Sequence, residues 1–152
     1  MGVLVGLGAP DNTIALIDLS ENDSKAVQKF KYHSSEVSGI INLGDGKFVS
    51  CGYDGFIVCW DISNPGACNP LKAHEGRVTS ITTLNNNTTL VSAGDDCMIR
   101  VYSLKNGQLQ MRGSFRESAP ISIVSSFYGN SRFIVSCLTN GLIKIWNVEN
   151  GE

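Results

Sequence analysis

His33, Ser50 and Asp54 fall in one short stretch, and His74, Ser92 and Asp96 repeat the set. A hydroxyl, an imidazole to take its proton and a carboxylate to orient the imidazole are the parts of a nucleophilic triad. Hydrolysis needs that constellation once, at the mouth of one pocket. Here Ser50 and Asp54 are four residues apart, and so are Ser92 and Asp96. A chemistry-bearing trio that recurs at fixed spacing reads first as structural.

Other candidate chemistry is thinner. Gly6 and Gly8 begin a dinucleotide-type glycine pattern, but Asp11 stands where a third glycine is needed, Pro10 interrupts, and a strand-like run follows where a helix N-terminus would have to hold the phosphate. Lys29, Lys31 and His33 alternate along a segment with Phe30 and Tyr32 between them. That arrangement reads either as a phosphate-binding stripe or as edge lysines that discourage aggregation. Cys51, Cys59, Cys68, Cys97 and Cys137 form no CxxC pair and mostly sit in apolar runs. Buried thiols in a reducing, intracellular compartment are the expectation, with no metal and no cofactor.

The elements that must position these residues are strands. The 152 residues carry 12 Lys and Arg against 14 Asp and Glu, for a net charge of −2. This balance excludes binding to nucleic acid or membrane driven by net charge. Four apolar runs, at 13–18, 56–61, 98–103 and 142–147, align on Ile17, Trp60, Tyr102 and Trp146, at intervals of 43, 42 and 44 residues. Each follows a second strand-like run and a turn rich in Asp, Asn and Gly, as tight hairpins require. Three β-branched runs, at 37–43, 78–84 and 121–127, precede those pairs as inner strands. More polar runs at 26–32, 68–72 and 109–113 read as outer strands with one solvated face.

Fourteen strands at this period make an all-β chain of about three and a half four-stranded antiparallel units. Its divisions are 1–32 without an inner strand, 33–73 and 74–117 complete, and 118–152 without an outer strand. The pattern resembles the WD40-repeat β-propellers, most clearly from His33 through Phe48-Val-Ser-Cys-Gly-Tyr-Asp-Gly-Phe-Ile-Val-Cys-Trp-Asp61. That resemblance implies a buried network in which Trp60 donates to Ser50, Ser50 to His33 and His33 to Asp54. His74, Ser92 and Asp96 offer the next, with Tyr102 in the Trp position and its hydroxyl expected elsewhere. The last repeat has Ser136, Asn140 and Trp146 but no His between Glu117 and Pro120, so only one repeat reads as complete.

The same resemblance places partner contacts on the rim where linkers and turns meet. It singles out Tyr53, Asp95 and Thr139, with Pro10 in the first repeat, and Glu36, Ser38, Arg77, Thr79, Pro120 and Ser122. Tyr53 and Arg77 lead, because Tyr and Arg are enriched at interface hot spots. The function implied is a non-catalytic scaffold that positions partner proteins in a larger complex. A reader of phosphopeptides, modified peptides or lipid headgroups on a basic patch of Lys29, Lys31 and Arg77 is the alternative, and an enzyme the remote one. Propellers need roughly four to eight blades. The remainder is therefore expected from a longer chain, from another chain or, as a third reading, from irregular closure of a small ring.

Overall fold

The computed structural model describes residues 3–5, 11–18, 25–127 and 132–152. Gly6, Gly8 and Pro10, and the turn expected at Gly129, lie outside them. The described residues form fourteen strands in four antiparallel sheets, each running in sequence order. The first holds β1 (Val3–Val5), β2 (Thr13–Asp18) and β3 (Lys25–Lys31); the second holds β4 (Val37–Gly44), β5 (Lys47–Gly52), β6 (Phe56–Asp61) and β7 (Cys68–Lys72). The third holds β8 (Val78–Leu84), β9 (Thr89–Gly94), β10 (Met98–Lys105) and β11 (Gln108–Arg116). The fourth holds β12 (Ile121–Ser126), β13 (Phe133–Leu138) and β14 (Ile143–Asn147).

Turn chemistry fixes the register. Asp45-Gly46 and Asn106-Gly107 each close a two-residue hairpin with φ positive at both positions, the geometry whose twist matches paired strands. Alternation then sorts the side chains onto two faces, and the interior strands of the second and third sheets bury residues on both. Ile14 and Phe30 of the first sheet pack on Phe48, Val58 and Trp60 of the second. Phe48 stacks on Trp60 at 5.8 Å, and Phe30 meets Phe48 edge-on at 4.9 Å. Cys51, Ile57 and Cys59 on the far face of the second sheet pack on Val78, Leu90 and Tyr102 of the third. Ala93, Ile99 and Val101 repeat that step against Ile121, Val124 and Ile134. Each fully buried aliphatic or aromatic side chain contributes roughly 1.5–3 kcal/mol.

A second device joins the sheets. The inner strands share a β-bulge, with register shifts between Val37 and Gly39, Val78 and Ser80, and Ile121 and Ile123. A bulge leaves one residue unpaired and re-aims its side chain. The re-aimed residues are Ser38, Thr79 and Ser122. Ser38 Oγ donates to the carbonyl of Val78, and Thr79 Oγ1 donates to that of Ile121 at 2.6 Å. Each hydroxyl therefore pins its sheet to the first inner-strand residue of the next.

Two expectations change here. β3 ends at Lys31, and His33 is buried, so His33 leaves the lysine stripe instead of continuing it. The third outer strand runs through Arg116, past the expected end at Gly113, because a bulge between Val101 and Tyr102 restores its pairing. Replacing Thr79 with Val keeps the shape and deletes the peg. We expect a loss of about 0.5–1.5 kcal/mol, read by urea unfolding, with the far-UV spectrum unchanged.

Candidate functional site

The two trios meet at one end of the second and third sheets, where the linker entering the sheet crosses the turn after its second strand. In the second sheet, Trp60 Nε1 donates to Ser50 Oγ at 2.9 Å, which lies 2.8 Å from His33 Nε2. His33 Nδ1 is 2.9 Å from Asp54 Oδ2. With its indole partner fixed as a donor, Ser50 donates to Nε2, which leaves the imidazole proton on Nδ1 facing Asp54. Asp54 also accepts from the backbone N–H groups of Ser34 and Phe56, at 3.0 and 3.1 Å. One side chain thus ties linker to turn. Ser50 and Ser92 are fully buried, so neither hydroxyl faces a substrate, although the order of groups matches a triad.

The third sheet makes the same node with an added cation. His74 lies 2.7 Å from Ser92 Oγ and 2.8 Å from Asp96 Oδ1. Arg100 Nη1 donates to Asp96 Oδ2 at 2.7 Å and also lies 2.7 Å from His74 Nδ1. Tyr102 is buried in the Trp position, where burial raises its phenol and a hydrogen bond with Ser92 partly offsets the rise. Its hydroxyl therefore stays at the node, contrary to expectation.

The fourth sheet corrects the reading that its network lacks a member. Glu117 sits four residues before the inner strand, as His33 and His74 do. Its side chain is fully buried. Oε1 accepts from Ser136 Oγ at 3.1 Å and from Trp146 Nε1 at 2.9 Å, and Oε2 accepts from Lys144 Nζ at 2.7 Å. Asn140 keeps only the turn role of Asp54, accepting from the N–H of Leu142 at 3.2 Å.

Space explains the substitution. A Cβ on Gly52 would fall 2.8 Å from His33 Nδ1, and one on Gly94 would fall 2.5 Å from His74 Nδ1. The matching residue in the fourth sheet is Leu138, which is buried. A side chain there is incompatible with an imidazole in the same place. Two signals in the sequence point to this node: the spacing of Glu117, equal to that of His33 and His74, and the change from Gly to Leu138. Lys144 and Arg100 occupy the strand position held by Val58 in the second sheet, two residues before Trp146, Tyr102 and Trp60.

A family model described as "WD domain, G-beta repeat" matches residues 24–61, 67–103 and 110–147. The chain belongs to the WD-repeat family. Each WD match begins in or just before the outer strand of one sheet and takes in the next three strands, so every repeat laces two sheets together. The chain is similar to protein groucho of Drosophila melanogaster, 24% identical over 97% of this chain and 19% of that protein. It is 25% identical to p21-activated protein kinase-interacting protein 1-like of Danio rerio, over 80% of this chain and 32% of the relative. To pre-mRNA-processing factor 19 of Caenorhabditis elegans it is 21% identical, over 94% of this chain and 29% of that protein. The chain thus spans about a fifth to a third of these relatives. WD repeats are in general non-catalytic interaction modules.

The rim residues come together in pairs along the WD-repeat linkers. The N–H of Tyr53 donates to the Glu36 carbonyl at 2.8 Å, that of Asp95 to Arg77 at 3.1 Å, and that of Thr139 to Pro120 at 2.9 Å. Arg77 then bridges two sheets, with its guanidinium 4.9 Å from the Tyr53 ring centroid and its Nε 3.7 Å from Asp95 Oδ2. Ser38 and Thr79 differ, since their hydroxyls are spent on the neighbouring sheet. Lys29 stands on the first sheet, 3.6 Å from Asp11, while Arg77 stands at the entrance to the third, beside Asp95. Burial pushes the Cys51 and Cys59 thiols up to about 12 and about 11, which keeps them protonated and unreactive. All five cysteines are free.

Burial, with Arg100 and Lys72 nearby, lowers the His74 pKa below its ordinary 6.5, although Asp96 opposes the shift. The unfolded chain then binds the extra proton first. Stability should hold above about pH 7 and fall as the pH drops below 6.5, before most carboxylates titrate. Urea midpoints across pH 5–7.5 check this, and His74→Gln should flatten that limb.

Proposed function

We propose that the chain is a non-catalytic scaffold that positions partner proteins within a larger assembly, and that partners bind the rim around Tyr53 and Arg77. The ladder of Tyr53, Arg77 and Asp95 carries this reading. The Arg77 side chain is 61% exposed yet braced on two sides, so little entropy is lost when a partner covers it. Glu36 and Thr139, both exposed, extend the surface along the same rim. The burial of Ser50 and Ser92 supports a binding role over hydrolysis. Separation of Lys29 from Arg77, each beside its own aspartate, favours a protein surface over a phosphate-reading patch.

The names of the similar proteins, among them a kinase-interacting protein and a pre-mRNA-processing factor, fit assembly work inside the cell. Tyr53→Ala and Arg77→Ala test the reading. Each should release the partners that co-purify with the wild-type chain, and shift the melting temperature by no more than a surface substitution does, about 0.5 kcal/mol in stability. Equal losses of binding and stability in both variants would count against a rim site.

A further inference from the structure

Side-chain amides bridge the first sheet to the second and the second to the third, and the next step lacks one. Gln28 pairs with Leu16, Asn69 with Cys59 and Gly113 with Val101, so the three residues hold the same place on successive outer strands. Gln28 Nε2 donates at 3.4 Å to the carbonyl of Ile62, in the turn after β6. Asn69 Nδ2 donates at 3.3 Å to the carbonyl of Gly107, in the turn after β10. Gly113 has no side chain with which to reach the turn after β14. Openings of about 250 and 230 Å³ lie beside the two amide bridges, against a groove of about 530 Å³ between the third and fourth sheets. Only the last reaches the size of a ligand site.

A bulge places a charge at this groove. Arg112 is the residue left without a partner between the Val101 and Tyr102 pairs, and a bulge re-aims the side chain it carries. Arg112 lines the groove, is exposed, and makes no ion pair among the described residues. Val101, Phe115 and Val148 supply the apolar part of the lining, and Glu149 stands on the fourth-sheet side. One cation facing one carboxylate across a groove disfavours a polyanion. Residues 112–115 all line the groove, and β11 is the outermost strand of its sheet. An extended peptide can pair along a free edge of that kind.

We propose that this groove binds an extended peptide segment of a partner protein, whose main chain runs along β11 and whose acidic side chain accepts from Arg112. A polar atom of the peptide takes the place against the fourth-sheet turn that Gln28 and Asn69 fill in the earlier steps. The groove opens at the opposite end of the sheets from the Tyr53–Arg77 rim, because Tyr53 lies in the turn after a second strand and Glu149 in the turn after a third. It is a separate site, and its test does not depend on the rim.

The probe is a hexapeptide of alternating Val and Glu, blocked at both ends, titrated into the chain and followed through backbone amide chemical shifts. Alternation puts its carboxylates on one side of an extended strand, so one of them meets Arg112 in any paired register. Saturable shifts should appear at residues 112–115 and 148–150 and spare Tyr53 and Arg77. The same peptide with Gln for Glu should bind roughly tenfold more weakly, and so should Arg112→Gln with the Glu peptide, the loss expected for a charge-assisted hydrogen bond. Gly113→Asn should restore the bridging amide, close the groove and abolish the shifts. Its melting temperature should match that of the wild-type chain, because a Cβ at Gly113 meets nothing within 4 Å. Arg112→Gln leaves the strand backbone alone and keeps the test decisive if Asn at that place disturbs folding. Absence of saturable shifts at the groove, equal binding of the Glu and Gln peptides, or full binding by a folded Gly113→Asn chain would overturn the proposal. So would tighter binding of an oligothymidylate at the same amides, since that result assigns the groove to nucleic acid.

Discussion

A buried polar side chain at the entrance to the second, third and fourth sheets is the constraint on which the rest of this molecule depends. His33, His74 and Glu117 each reach a serine on the second strand of a sheet from the linker that enters it. Removing an imidazole or a carboxylate from water is costly unless every polar atom finds a partner. No buried side-chain nitrogen or oxygen among the described residues lacks one. Because the penalty for a missing partner is high, the linker has one acceptable path. That path sets where the rim residues emerge, and it aligns the Glu36, Arg77 and Pro120 carbonyls with the N–H groups of Tyr53, Asp95 and Thr139.

Between sheets the logic is apolar and repetitive. The second and third sheets bury one face on the sheet before and the other on the sheet after, and the bulged hydroxyl fixes the relative height of neighbours. Packing of Val, Ile and Phe supplies most of the free energy, but it is tolerant of sliding. A hydrogen bond from Ser38 or Thr79 to a single carbonyl is not. Rigidity at the rim then follows from the two devices together. The Tyr53–Arg77 contact crosses between sheets whose spacing is already set, so a partner would meet a surface ordered before it arrives.

Much of this was legible in the sequence. The interval between Trp60, Tyr102 and Trp146 marks the strands that end each repeat, and Asp45-Gly46 marks a hairpin. The His33–Ser50–Asp54–Trp60 order is readable because all four residue types are present. What escaped was chemistry performed by a different residue type. Glu117 does the work of a histidine, and a search for His passes over it, although its distance from Ile121 equals that of His33 from Val37. Arg100 and Lys144 were hidden for another reason: strand alternation places them on a half-buried face, where a charge is legible only once its counter-charge is known. Ser38 and Thr79 read as rim residues because a bulge, which turns a side chain toward the neighbouring sheet, has no composition of its own.

The central claim is that these nodes, rather than strand pairing alone, determine how each sheet is entered. Gly94→Ala tests it most directly, because the added methyl would stand 2.5 Å from His74 Nδ1 and 2.7 Å from the Arg77 carbonyl. Urea unfolding of this variant beside Gly66→Ala, whose methyl meets nothing within 4 Å, is the measurement. The account predicts a loss of about 1–3 kcal/mol for Gly94→Ala, the usual cost of overpacking, against a change within about 0.5 kcal/mol for Gly66→Ala. Equal stability of the two variants would contradict it.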